Sequence, residues 1–216
     1  MANLFYPSHD IALANGVRHF NPPAAALRLQ EDLASLYHIW NRPYEAGLVP
    51  FPQPWGWDWD TRRYIHEAHN IKLSQLPTDE ELESIRDLSS RKTTITLIDQ
   101  LKQATGETGY PMPEYLQTEA EVMAFLSRHQ DCVLKTPWSS SGRGLMRSNV
   151  PLQNLEKHIK ATLQRMGGIM GEPWINGKVQ DFAMLFFVSD HDVRFIGYSL
   201  FENDGTTYRQ GYLLSD

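Results

Sequence analysis

The chain has 216 residues, with 20 Lys and Arg against 26 Asp and Glu, for a formal charge of -6. An acidic chain with scattered basic residues is a poor partner for duplex nucleic acid, because phosphate neutralisation dominates that affinity. A single cysteine, Cys132, excludes an internal disulfide framework, and no apolar run reaches the roughly 18 residues of a membrane helix. The opening MANLFYPSHD has no basic leader and no signal-peptide apolar core. A cytoplasmic protein of one large or two small domains is expected.

In chain order, NLFYP reads as a first strand ended by Pro7. Prolines then open a helix in which Leu29, Leu33, Leu36, Tyr37 and Trp40 recur at helical spacing. RPYEAGLVPFPQPWGWDWD is irregular, with its tryptophans read as anchors to the core. TRRYIHEAHN and TDEELESIRDLSSR are short helices, the second opened by a capping box of Thr78 and Glu81. A boundary is expected near Ser90.

KTTITLIDQLKQATG is a helix closed by Gly106. TEAEVMAFLSRH is another, capped by Thr118 and Glu121, with Val122, Phe125 and Leu126 inward. DCVLKTP and LMRS are strands around a serine–glycine loop. Leu152, Leu155, Ile159, Leu163 and Met166 mark an amphipathic helix. GIMGEPWI is extended. VQDFAMLFFVS is apolar on both alternating faces and is expected to be covered on both. It leads an antiparallel meander through VRFIGYSLFEN and TTYRQGYLL, with Glu202, Asn203 and Asp204 in a turn. The order predicts an α+β fold.

The loop PWSSSGRGL carries the most chemistry. A lysine on a mostly buried strand, Lys135, needs an anionic partner. Ser139, Ser140, Ser141, Gly142 and Gly144 can offer successive backbone amides, an anion-binding concavity, and Arg143 could close over the anion. Together they fit a triphosphate under a mobile flap. The alternative is a hairpin with a loose tip and a lysine reaching solvent. No Walker loop or dinucleotide fingerprint is present. Downstream, Glu172, Pro173, Trp174 and Ile175 form an extended hinge suited to a planar base. Asp181 or Gln180 could reach ribose hydroxyls. The alternative there is a plain strand connection with a core tryptophan.

This order of lysine strand, glycine-rich flap, strand, helix and acid-led hinge resembles the ATP-grasp superfamily, over roughly residues 91 to 200. The resemblance implies ATP between two α+β subdomains, with Lys135 on the phosphates and residues 139 to 144 as the flap. It implies Glu172 near the adenine amino group, with Trp174 and Ile175 at the adenine edge through backbone. Lys92 matches an earlier phosphate-contacting lysine, with Arg91 as its neighbour. Residues 1–90 would be a preceding α/β domain, 91–170 the first subdomain and 171–216 an incomplete second one.

The implied chemistry is ATP-dependent ligation of a carboxylate-containing small molecule through an acyl-phosphate, assisted by Mg²⁺. The carboxylates that hold magnesium in the family are expected outside this chain, which predicts a truncated portion with weak nucleotide binding and little turnover. Two other readings stand beside it. One is a non-catalytic module for a small ligand or protein on the same scaffold; the other is a kinase.

Ser8, His9 and Asp10 have triad residue types, but adjacency forbids triad geometry. Asp10 is read as a helix cap in preference to a site residue. His66 and His69 lack a third metal ligand and are read as surface histidines. Cys132 is read as a buried structural thiol.

Overall fold

A computed structural model describes residues 6–47, 52–139, 144–177, 179–188, 191–204 and 207–214. The first part of the chain is helical: α1 (His9–Asn15), α2 (Ala24–Asp32), α3 (Tyr37–Trp40), α4 (Arg42–Glu45), α5 (Trp59–His69) and α6 (Asp79–Leu88). The first strand expected at residues 3 to 7 falls largely on residues 1–5, outside those described; Pro7 lies in a turn.

The single helix expected from Leu29 to Trp40 is broken. α2 ends at Asp32, a 3-10 turn follows over Ala34–Leu36, and α2 buries none of its residues. Helical spacing without a surface to bury against does not sustain a long helix.

α5 is positioned better. The Asp58 carboxylate accepts from the Thr61 amide at 2.8 Å, and Ile65 packs with Leu76, Tyr6, Trp57 and Tyr64. Trp57 and Trp59 do anchor their segment, whereas Trp55 is exposed. α6 starts with both halves of the Thr78–Glu81 capping box. His66 and His69 are half-buried rather than superficial. The His66 ring is bonded to the Ile71 carbonyl, and His69 stacks edge-on to Tyr64.

The second part holds α7 (Thr93–Thr105), β1 (Glu114–Leu116), α8 (Glu119–Arg128), β2 (Cys132–Lys135), β3 (Leu145–Arg147), α9 (Leu152–Met166) and β4 (Ile169–Pro173). The strands form one antiparallel sheet in the order β1-β4-β2-β3. Alternation divides it into two faces. Cys132, Leu134, Leu116 and Ile169 lie on one, packed against Val122 and Phe125 of α8 and Leu155 and Ile159 of α9. Gly171 is part of that face. A Cβ there would lie 2.8 Å from the Phe125 ring, so glycine is what lets α8 approach β4. Cys132 is buried there, and burial pushes its thiol pKa up, as befits an inert core thiol.

β5 (Asp181–Val188), β6 (Val193–Asp204) and β7 (Thr207–Leu214) form a separate antiparallel meander, with a register shift between Leu185 and Phe186. Two expectations fail here. β5 is not covered on both faces, for Phe182 through Val188 are mostly exposed. Glu202, Asn203 and Asp204 are not a turn; they end β6, paired with β7. The fold is α+β with two antiparallel sheets, and none of the helices among the described residues is long and apolar enough to cross a membrane.

Candidate nucleotide site

The other face of the first sheet carries two of the residues singled out in the sequence, Lys135 and Glu172. Register aligns Tyr115, Met170, Lys135 and Leu145 in one row across all four strands, and Glu172, Val133 and Arg147 in the next. Val133 and Met170 are buried, and the remaining members of the two rows are half-buried. Lys135 lies two residues on from Val133, the register partner of Glu172, which makes Lys135 and Glu172 diagonal neighbours on one face. They form an ion pair, with side chains 25% and 26% exposed. The anionic partner that a half-buried lysine requires is thus, within this chain, Glu172.

Lys92 occupies the N-cap position of α7, and its Nζ lies 5.0 Å from the Tyr115 ring centroid, within cation–π range. This sets Lys92 over the Tyr115–Lys135 row. Arg91 takes a different task from its neighbour. Its guanidinium donates to the Thr136 carbonyl at 2.6 Å, to Ser139 Oγ at 2.8 Å and to the Ser139 carbonyl at 2.9 Å. Its amide donates to the Pro137 carbonyl at 2.8 Å. Burial lowers its pKa, and the charges of Glu172 and Asp10 oppose that shift. Arg91 therefore fixes the chain where it leaves β2.

Ser139 is held in this way. Gly144 returns the chain to β3 with φ +76, and a Cβ there would lie 2.3 Å from Thr136 Oγ1, so both backbone and space require glycine. Ser140, Ser141, Gly142 and Arg143 lie outside the described residues.

At the hinge, a cavity of about 330 Å³ opens between Ile98 and Leu101 of α7, Tyr110 and Pro111, and Glu172, Pro173 and Ile175. Its walls are mainly apolar, as in ligand clefts generally. Glu172 belongs both to this cavity and to the ion pair with Lys135, so the cavity adjoins the cationic row.

Two of the expected residues already have partners within the chain. The Trp174 amide donates to the Asp131 carbonyl at 2.9 Å, which removes it as a donor for a base edge. Its ring is covered instead by Arg147, 3.4 Å from ring centroid to guanidinium carbon. Ile175 remains exposed at the cavity. Asp181, expected near ribose, begins β5 in the other sheet, and its carboxylate accepts from Asn203 Nδ2 at 2.8 Å. Gln180 bonds the Phe201 carbonyl.

Arg147, Tyr115 and the anchoring role of Arg91 escaped the sequence reading. Strand alternation of LMR against CVLK could have flagged Arg147; the Arg91 contacts span some 48 residues and leave no local signal. Asp10 is not the cap of α1. Ser8 holds that position, and Asp10 sits exposed in the first turn. Among the described residues, no group of three His, Cys, Asp or Glu side chains converges to hold a metal ion.

No protein-family model and no curated protein matches the chain. Several solved structures do. N5-carboxyaminoimidazole synthetase from Staphylococcus aureus, complexed with ADP, is 16% identical with a TM-score of 0.41, over 59% of this chain and 32% of that one. N5-carboxyaminoimidazole ribonucleotide synthetase from Thermus thermophilus is 18% identical with a TM-score of 0.44, over 70% and 37%. D-alanyl-alanine synthetase A from Vibrio cholerae is 12% identical with a TM-score of 0.40, over 57% and 37%. The chain thus spans about a third of the proteins it matches. At this distance the likeness decides nothing about chemistry, which has to come from the residues.

Proposed function

We propose that this chain is the nucleotide-binding portion of an ATP-dependent ligase of ATP-grasp type. One observation carries the reading: Glu172 joins the apolar 330 Å³ cavity to Lys135. A purine in that cavity would meet Glu172 with its amino group. Phosphates leading away along the sheet would meet Lys135 and then Lys92, in the row nearest the loop between β2 and β3. Nucleotide binding would then exchange the Lys135–Glu172 pair for two ligand contacts, phosphate on the amine and adenine on the carboxylate. Such charge-assisted bonds are stronger than neutral ones.

In the full reaction, a carboxylate oxygen of the second substrate attacks the γ-phosphorus. The bond to the β–γ bridging oxygen breaks and ADP leaves, giving an acyl-phosphate. An amine or other nucleophile then adds at the acyl carbon, and phosphate departs. The chain's own share is positioning and charge neutralisation by Lys135 and Lys92, with Arg143 in the role its sequence position suggests. Residues 1–90, 91–170 and 171–216 would be the preceding domain and the two subdomains. Magnesium belongs to the implied chemistry, but the described donors do not fit it. Asp181 is engaged by Asn203 and Glu202 by Gln210, so no step is assigned to a metal.

Calorimetric titration with ADP and GDP tests the base assignment. ADP is expected to bind better than GDP, because guanine places a carbonyl where adenine has its amino group, and Glu172→Gln should shrink that preference. Equal binding of both nucleotides, unchanged by the substitution, would remove adenine from the cavity.

A further inference from the structure

A second cavity, of about 320 Å³, opens between α1, the last turn of α9 and the two described ends of the segment joining β2 to β3. Ser139 and Gly144 are those ends, so it adjoins the flap of the nucleotide site from the opposite side of the sheet to Lys135. Thr136 follows Lys135 and by alternation points to the helix-covered side of the sheet, and it is Thr136 that lines this cavity.

The floor is apolar, made by Ile11 and Ala14 of α1, the Trp138 indole and Met166 of α9. The indole is fixed in place. Its Nε1 donates to the Arg86 carbonyl at 2.9 Å, and the Arg86 guanidinium carbon sits 4.2 Å from its ring centroid. The cavity also carries charges of both signs. Asp10 comes from the first turn of α1 and Arg165 from the last turn of α9. Among the described residues neither forms an ion pair with the other or with any third group. The Asn15 amide stands on the same wall as Asp10.

We propose that this cavity binds a small zwitterion with an apolar side chain, of the amino-acid class. Its carboxylate would take Arg165, its ammonium Asp10, and its side chain the indole floor. Each charge gains a charge-assisted bond that the chain itself does not supply, and the floor removes apolar surface from water. A ligand lacking either charge leaves one side chain unmatched and is rejected by the same logic that lets polar sites discriminate strongly. In the nucleotide reading this occupant is the carboxylate-bearing second substrate. Only that role rests on the nucleotide reading; the binding does not.

The test is calorimetry on the whole chain with four probes: L-leucine, L-phenylalanine, 4-methylpentanoate, which lacks the amine, and 3-methylbutylamine, which lacks the carboxylate. The amino acids are expected to bind, and each truncated analogue to bind at least tenfold more weakly. Arg165→Gln should abolish the preference for leucine over 3-methylbutylamine, and Asp10→Asn the preference over 4-methylpentanoate. ADP affinity should be unchanged in both variants. ADP binding without binding of any amino acid overturns this inference and leaves the nucleotide reading standing. Amino-acid binding with the stated discrimination, but without ADP binding, supports the inference and removes the nucleotide reading. Wild-type binding that ignores either charge of the ligand also overturns it.

Discussion

The two sheets use similar residues to opposite ends. In the sheet of β1 to β4, the apolar face is covered by α8 and α9, and the other face carries an ion pair, a cation–π contact and a stacked arginine. In the meander of β5 to β7, Phe182, Met184, Phe186, Phe195 and Tyr198 touch edge-on or lie on one face, yet remain about half exposed. Apolar alternation therefore tells which side chains favour burial, and it does not tell what buries them. Among the described residues, helices cover the first sheet alone, and the ionic groups poised between sheet and cavity are there too.

This contrast can be broken by mutation. Phe125→Ala should cost about 3–5 kcal/mol in urea unfolding, the range for a fully buried aromatic. Gly171→Ala should cost about 1–3 kcal/mol, because its new methyl meets the Phe125 ring. Phe186→Ala, in the exposed sheet, should cost under about 1 kcal/mol. A loss at Phe186 as large as that at Phe125 would mean that the meander is covered in solution.

Acid sharpens the comparison more gently. Burial lowers the pKa of His69 and, with Arg165 adding to the effect, that of His158. The unfolded chain takes up these protons near pH 6.5, whereas the folded chain resists them. Stability is therefore full above about pH 6.5 and is lost as pH falls toward the depressed folded values. The urea midpoint should drop between about pH 7 and pH 5, and replacing both histidines with glutamine should flatten that drop. Both groups lie outside the meander, so its hydrogen-exchange rates should not follow the same titration.

Local chemistry was legible in the sequence and distant pairing was not. Both capping boxes, Thr78 with Glu81 and Thr118 with Glu121, are three-residue patterns and form as read. The spacing of Leu155 and Ile159 named the buried face of α9. β1 was missed because three residues after a proline give no period, and its partner β4 lies more than fifty residues on. The need of Lys135 for an anion followed from strand burial, but only the β2–β4 register reveals that Glu172 supplies it. Trp174 was expected to reach the adenine edge through backbone, and nothing local shows that its amide is already bound to Asp131.

Calorimetric titration of ADP into the wild-type chain and Lys135→Ala addresses the core of this account most directly. Saturable binding that the substitution weakens at least tenfold, about 1.4 kcal/mol, is the predicted result. Binding of equal strength in both proteins would show that the amine beside Glu172 does not meet the nucleotide, and the account would fail.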